Sequence, residues 1–125
     1  MTIEITVPGS KSITQRALVA AALSQGESVL GSALDSEDTR LLRNALVKFG
    51  VNIDDSQPDS WKIQGTGGNL REPRDEIFMG NNGTGIRFLI SLASLVHGTT
   101  ILTGTPRMEE RPAAPLLDAL AQLWV

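Results

Sequence analysis

The sequence repeats itself, and a chain that repeats a supersecondary pattern is bound to an architecture of related units packed together. Ala21-Ala22-Leu23-Ser24-Gln25-Gly26-Glu27-Ser28-Val29-Leu30 aligns with Ala93-Ser94-Leu95-Val96-His97-Gly98-Thr99-Thr100-Ile101-Leu102 at an offset of 72, with the glycines coinciding. A second match, residues 42–51 with residues 116–125, follows at an offset of 74. At 125 residues the chain holds one ordinary domain or a piece of a larger one, since domains run to about 100–200 residues.

Each unit reads as helix, glycine stop, strand, loop, helix, which makes the fold class α/β. In the first unit, residues 12–23 are apolar on most of their surface and halt near Gly26, and residues 27–34 suit a buried strand. Asp35-Ser36-Glu37-Asp38-Thr39 supplies a cap and first-turn acids, and Leu41, Leu42, Ala45, Leu46 and Phe49 recur at helical spacing up to Gly50. Residues 51–54 and 61–64 flank Gln57-Pro58-Asp59-Ser60 as a hairpin, which gives a βαβαββ unit. The second unit has a short strand at Phe78-Met79, a helix from Gly83 or Thr84 to Val96, a strand over 99–102 and a last helix over 113–123. Val125 is the counterpart of Val51, which opens the first hairpin, so the second unit is expected to be truncated and the chain to be about one and a half units.

Composition narrows the function. Hydrophobic residues make up 41% and charged residues 20%, with 12 glycines, as in a globular chain. There is no cysteine for a disulfide or thiolate site, and the lone His97 cannot build a histidine-rich metal centre. A net charge of −3 has the wrong sign for a nucleic-acid partner. The longest unbroken apolar run, residues 17–23, is far short of the roughly 18 residues that span a bilayer. The N-terminus has no basic and apolar leader, so a soluble, cytoplasmic protein without a membrane partner is expected.

Three loops favour anions. Pro8-Gly9-Ser10-Lys11-Ser12 precedes the first helix, whose unpaired N–H groups face a ligand while Lys11, the Ser12 hydroxyl and Arg16 converge from the same helical face. It is not a nucleotide-binding Walker loop, because Ser10 stands before Lys11 where that motif has glycine. Gly80-Asn81-Asn82-Gly83-Thr84-Gly85-Ile86-Arg87 repeats the logic before an apolar helix. In Thr105-Pro106-Arg107-Met108-Glu109-Glu110-Arg111-Pro112 a basic residue stands just before a helix, where the macrodipole gives it no reward. The plain alternatives are a capped helix with exposed Lys11 and Arg16, a glycine turn, and an ion pair between Arg107 or Arg111 and the adjacent glutamates. His97 and the pairs Asp54-Asp55 and Glu109-Glu110 read as structural or solvated.

In order, the stretches 8–17, 34–39, 80–87 and 104–112 resemble the motifs of the EPSP synthase family, the 3-phosphoshikimate 1-carboxyvinyltransferases. The resemblance covers essentially the whole chain and about the first third of a family member, which is built of βαβαββ units in two domains with the active site between them. It implies transfer of the enolpyruvyl group of phosphoenolpyruvate to the 5-hydroxyl of shikimate 3-phosphate, with release of phosphate and without a metal or other cofactor. It assigns Lys11 to both ligands, Ser12 and Arg16 to shikimate 3-phosphate, and Gly83 and Arg107 to phosphoenolpyruvate, with Asn81, Thr84, Arg87 and Arg111 beside them. Residues 1–10 would be a strand and linker joining the other domain.

Two departures bear on the phosphoenolpyruvate pocket and on sensitivity to glyphosate: Phe88 stands where many members have proline, and Gly85 replaces a common alanine. The carboxylate and lysine that the family uses for proton transfer lie in a later portion, so the chain is expected to be inactive alone and to need the C-terminal portion as partner. A UDP-N-acetylglucosamine enolpyruvyl transferase shares the fold type but resembles this sequence less well. A non-catalytic module that binds an anion or a partner protein is the reading from another class.

Overall fold

A computed structural model describes residues 2–6 and 10–106. The elements run β1 (Thr2–Thr6), α1 (Lys11–Leu23), β2 (Glu27–Gly31), α2 (Glu37–Lys48), β3 (Asn52–Gln57), β4 (Ser60–Gln64), β5 (Ile77–Phe78), α3 (Gly83–Ala93) and β6 (Leu102–Thr103). Residues 2–64 therefore follow the order βαβαββ. Parallel strands joined by a helix occur twice, as β1 with β2 across α1 and β5 with β6 across α3. The expected helix over 113–123 lies outside the described residues.

The larger sheet has the order β1-β2-β4-β3, with β2 antiparallel to β4 and β4 antiparallel to β3. Alternation decides which face is covered. Ser28 and Leu30 on β2 and Trp61 and Ile63 on β4 are buried, while Lys62 and Gln64 between and beyond them face water. Against that inner face lie Leu18, Ala21 and Ala22 of α1 and Leu42, Ala45 and Leu46 of α2, with Phe49 just past its end. Ile77, Met79, Leu89 and Leu92 extend the same core into the β5–α3–β6 segment. The 42, 45, 46, 49 spacing is that of a helix with one apolar stripe.

Helix ends are set by side chains and glycine. Ser36 caps α2 in a reciprocal box with Thr39. At the other end the Gly50 N–H donates to the Val47 carbonyl at 3.0 Å and the Val51 N–H to the Leu46 carbonyl at 3.1 Å. This closure needs a left-handed residue, and Gly50 has φ +96°. The end of α1 is stapled by the glycine-rich stretch after β4: the Thr66 N–H donates to the Ala22 carbonyl at 2.9 Å and the Gly67 N–H to the Ser24 carbonyl at 2.9 Å. A Cβ on Gly65 would stand 2.0 Å from the Ser24 carbonyl oxygen, so only glycine permits that approach.

Several boundaries differ from the sequence reading. Strand β2 stops at Gly31 instead of residue 34 because Ser32 turns to φ +55° and Leu34 donates its N–H to the Thr14 hydroxyl at 3.1 Å. Strand β3 runs on to Gln57 with a register shift after Asp54, which leaves Pro58 and Asp59 as the turn. Helix α3 ends at Ala93 instead of Val96, tightening through Leu95 N–H to Leu92 and Val96 N–H to Ala93 bonds. His97 thus lies beyond the helix end and is exposed. Strands β5 and β6 are shifted by one to three residues from the expected 78–79 and 99–102.

Candidate functional site

The starts of α1, α2 and α3 meet, and polar side chains join them. At α1, Ser10 is the cap and its hydroxyl accepts the Ile13 N–H at 3.4 Å. Lys11 is the first helical residue, and its Nζ lies 2.9 Å from the Asp38 carboxylate in the first turn of α2. Ser12 and Arg16 are exposed on α1. The 34–39 loop is held to α1 by the Leu34 N–H on Thr14, and Thr39 in turn donates its hydroxyl to the Leu34 carbonyl at 2.9 Å.

At α3, Asn82 is the cap: its Oδ1 accepts the Gly85 N–H at 2.8 Å. Its Nδ2 donates to Gln15 Oε1 on α1 at 2.6 Å and to the Asp38 carbonyl on α2 at 2.9 Å. One amide therefore joins all three helix starts. Of the α3 first-turn donors, the Gly83 N–H goes to the Asn81 carbonyl at 2.9 Å, so the expected open nest is partly closed from within. Thr84 is exposed and its N–H has no partner of the ordinary helical kind. Asn81 accepts a hydrogen bond from the Thr105 hydroxyl, and the Thr105 N–H donates to the Gly80 carbonyl at 3.0 Å. The third loop thereby arrives beside the second. Arg87 is exposed. Pro8, Gly9, Arg107, Glu109, Glu110 and Arg111 lie outside the described residues.

The Lys11–Asp38 pair leaves the lysine side chain 55% exposed. An ion pair that open to water contributes at most about 1 kcal/mol. An arriving anion can therefore take over the Lys11 ammonium at little cost. Arg16 makes no ion pair among the described residues.

Sequence reasoning missed three members of this junction. In the sequence Asp38 stands as a first-turn acid, and Gln15 and Asn82 fall inside the stretches 8–17 and 80–87 without a role of their own. The available signal was Gln15, an amide within the apolar stretch of α1, which is 1% exposed in the structure, as is Asn82. Asp54 and Asp55 do diverge, but Asp55 is not merely solvated: it lies 2.5 Å from Arg43, whose side chain is 7% exposed. Asp54 accepts from the Ser56 hydroxyl and N–H, and these two bonds hold its carboxyl below its ordinary value of 3.8.

A separate open groove of about 440 Å³ between α2 and β5 is lined mainly by aliphatic and aromatic side chains, with Lys48 as its one charged residue. It lacks the convergent donors and cations of the junction, so the junction is the candidate site.

The profile of EPSP synthase (3-phosphoshikimate 1-carboxyvinyltransferase) matches residues 1–125. The chain belongs to the EPSP synthase family. Among similar curated proteins, the 3-phosphoshikimate 1-carboxyvinyltransferase of Ralstonia pickettii is 45% identical over 119 residues, covering 95% of this chain and 27% of that protein. Its namesake in Shewanella baltica is 47% identical over 122 residues, covering 96% and 29%. The solved EPSP synthase from Acinetobacter baumannii superposes with a TM-score of 0.84 at 28% identity, covering 97% of this chain and 28% of that one. The chain thus spans a little over a quarter of the length of the relatives it matches. No helix among the described residues is long and apolar enough to cross a membrane.

Proposed function

We propose that this chain is the N-terminal part of a cytoplasmic EPSP synthase and contributes one wall of a site for shikimate 3-phosphate and phosphoenolpyruvate. Lys11 serves both ligands, Ser12 and Arg16 hold shikimate 3-phosphate, and Gly83 and Arg107 receive phosphoenolpyruvate, with Asn81, Thr84, Arg87 and Arg111 around them. The observation that most supports this reading is the junction itself: Lys11, the α3 turn and the Thr105 loop are fixed to one another through Asp38, Asn82 and Asn81.

The chemistry follows from charge. Both reactants are anions, and cations with N–H donors at helix starts bind phosphate and carboxylate by charge-assisted hydrogen bonds. The 5-hydroxyl oxygen adds to the enol carbon to give a tetrahedral intermediate, and elimination then expels phosphate. Fixed positive groups stabilise negative charge as it relocates between these steps. The chain supplies binding and charge stabilisation; the proton-transferring carboxylate and lysine belong to the C-terminal portion, its expected partner. Incubation of the 125-residue chain with both substrates should release no phosphate above a protein-free control. Turnover by the chain alone would contradict the division of labour.

A further inference from the structure

Asn82 makes three of the four hydrogen bonds open to its side chain: Oδ1 accepts from the Gly85 N–H, and the two Nδ2 protons go to Gln15 Oε1 and the Asp38 carbonyl. The orientation of the amide is fixed by its partners, because two acceptors face Nδ2 and one donor faces Oδ1. The space that holds this amide exists because residue 85 has no side chain. A Cβ on Gly85 would stand 2.5 Å from Asn82 Nδ2, 2.8 Å from its Cγ and 2.8 Å from the Met79 methyl carbon. Gly85 is in an ordinary helical conformation, so backbone freedom is not what glycine supplies here; room is.

We propose that Asn82 is a positioning residue, that it fixes the α3 turn against the helix start bearing Lys11, and that Gly85 is its steric partner. The ligand consequence rests on the reading of the junction as an anion site. The coupling between the two residues does not. Asn82→Ala removes the three bonds and leaves a void; Gly85→Ala drives a methyl into the amide and breaks the same bonds. Either change alone damages one shared arrangement. In the double variant the alanine methyl at position 85 occupies part of the space the amide vacated, while the link between α1, α2 and α3 stays absent.

The test uses the full chain in four forms: unchanged, Asn82→Ala, Gly85→Ala and the double variant. Two readouts are taken, the urea midpoint and the affinity for shikimate 3-phosphate under conditions where each form is folded. Each single variant should lower the midpoint, and the double variant should have a midpoint above that of Gly85→Ala. Affinity should fall roughly tenfold in both singles, the loss expected from removing buried hydrogen bonds that hold a site, and should stay low in the double variant. Additive midpoint losses would overturn the steric partnership. Affinity that recovers together with the midpoint would overturn the positioning role and leave Asn82 as a packing residue. If the unchanged chain binds no shikimate 3-phosphate, the anion-site reading and the positioning role both fall, while the midpoints still decide the coupling. Should Gly85→Ala fail to fold, a double variant that folds supports the steric partnership, and one that also fails to fold overturns it.

Discussion

Arg43 shows how a single side chain can organise a corner of the fold. It lies on the inner side of α2, where a charge would be costly, and four partners offset that cost. Its guanidinium contacts Asp35 at 2.7 Å and Asp55 at 2.5 Å, its Nε donates to the Thr39 carbonyl at 3.4 Å, and its Cζ sits 4.1 Å from the centre of the Trp61 ring. Both aspartates are half or more exposed, so each ion pair is screened and the packing over Trp61 carries much of the effect. Arg43→Ala should therefore cost about 2 kcal/mol or more in urea unfolding, against less than about 1 kcal/mol for Asp55→Asn. Equal losses in the two variants would contradict this weighting.

Asp54 gives the pH-dependent counterpart. Its carboxyl is lowered below 3.8 by the Ser56 side chain and then by the Ser56 backbone, with a smaller contribution from Lys62. A lowered folded-state value means the Asp54–Ser56 bonds stabilise the folded chain above the unfolded value and are lost as pH falls through the folded one. The Asp54 side-chain carbon signal should titrate with a midpoint below 3.8, and Ser56→Ala should move that midpoint upward. An unchanged midpoint in Ser56→Ala would refute the assigned cause.

Elements with strong periodicity were readable from sequence, and elements whose limits depend on distant partners were not. The stripe through Leu42, Ala45, Leu46 and Phe49 and the stop at Gly50 place α2 almost to the residue. The end of β2 depends instead on Thr14, twenty residues upstream in the chain, capturing the Leu34 N–H, which no local pattern announces. Likewise the glycine loops announce helix starts, but only the folded chain brings Asn82 against Gln15 and Asp38. Gly85, a departure from the family pattern when read along the sequence, is the room for that amide. Gly50 is the clearest element-level test: φ +96° puts any L side chain in the left-handed region. Gly50→Ala should lower stability by roughly 1–2 kcal/mol while leaving helix content unchanged by circular dichroism. A neutral effect would show that α2 does not depend on its glycine stop.

For the molecule as a whole, the elements run in the order βαβαββ over residues 2–64 and βαβ over residues 77–103, the mixed α/β class expected from the sequence. The resemblance assigns residues 1–10 to a connection with another domain; in this structure residues 2–6 pair in parallel with β2. Strand β1 is also the sheet edge, with Ile3 42% exposed. The chain spans 27–29% of the length of the relatives compared, and in the proposed reading it carries one wall of the site. Whether its own wall is assembled can still be measured directly. Titration of the ¹⁵N-labelled chain with shikimate 3-phosphate, followed by amide and lysine side-chain signals, should shift Lys11, Ser12, Arg16 and the 81–84 turn together along one binding curve. Shifts confined to unrelated surfaces, or no saturable shift at these residues, would contradict the proposal that this junction is half of an anion-binding active site.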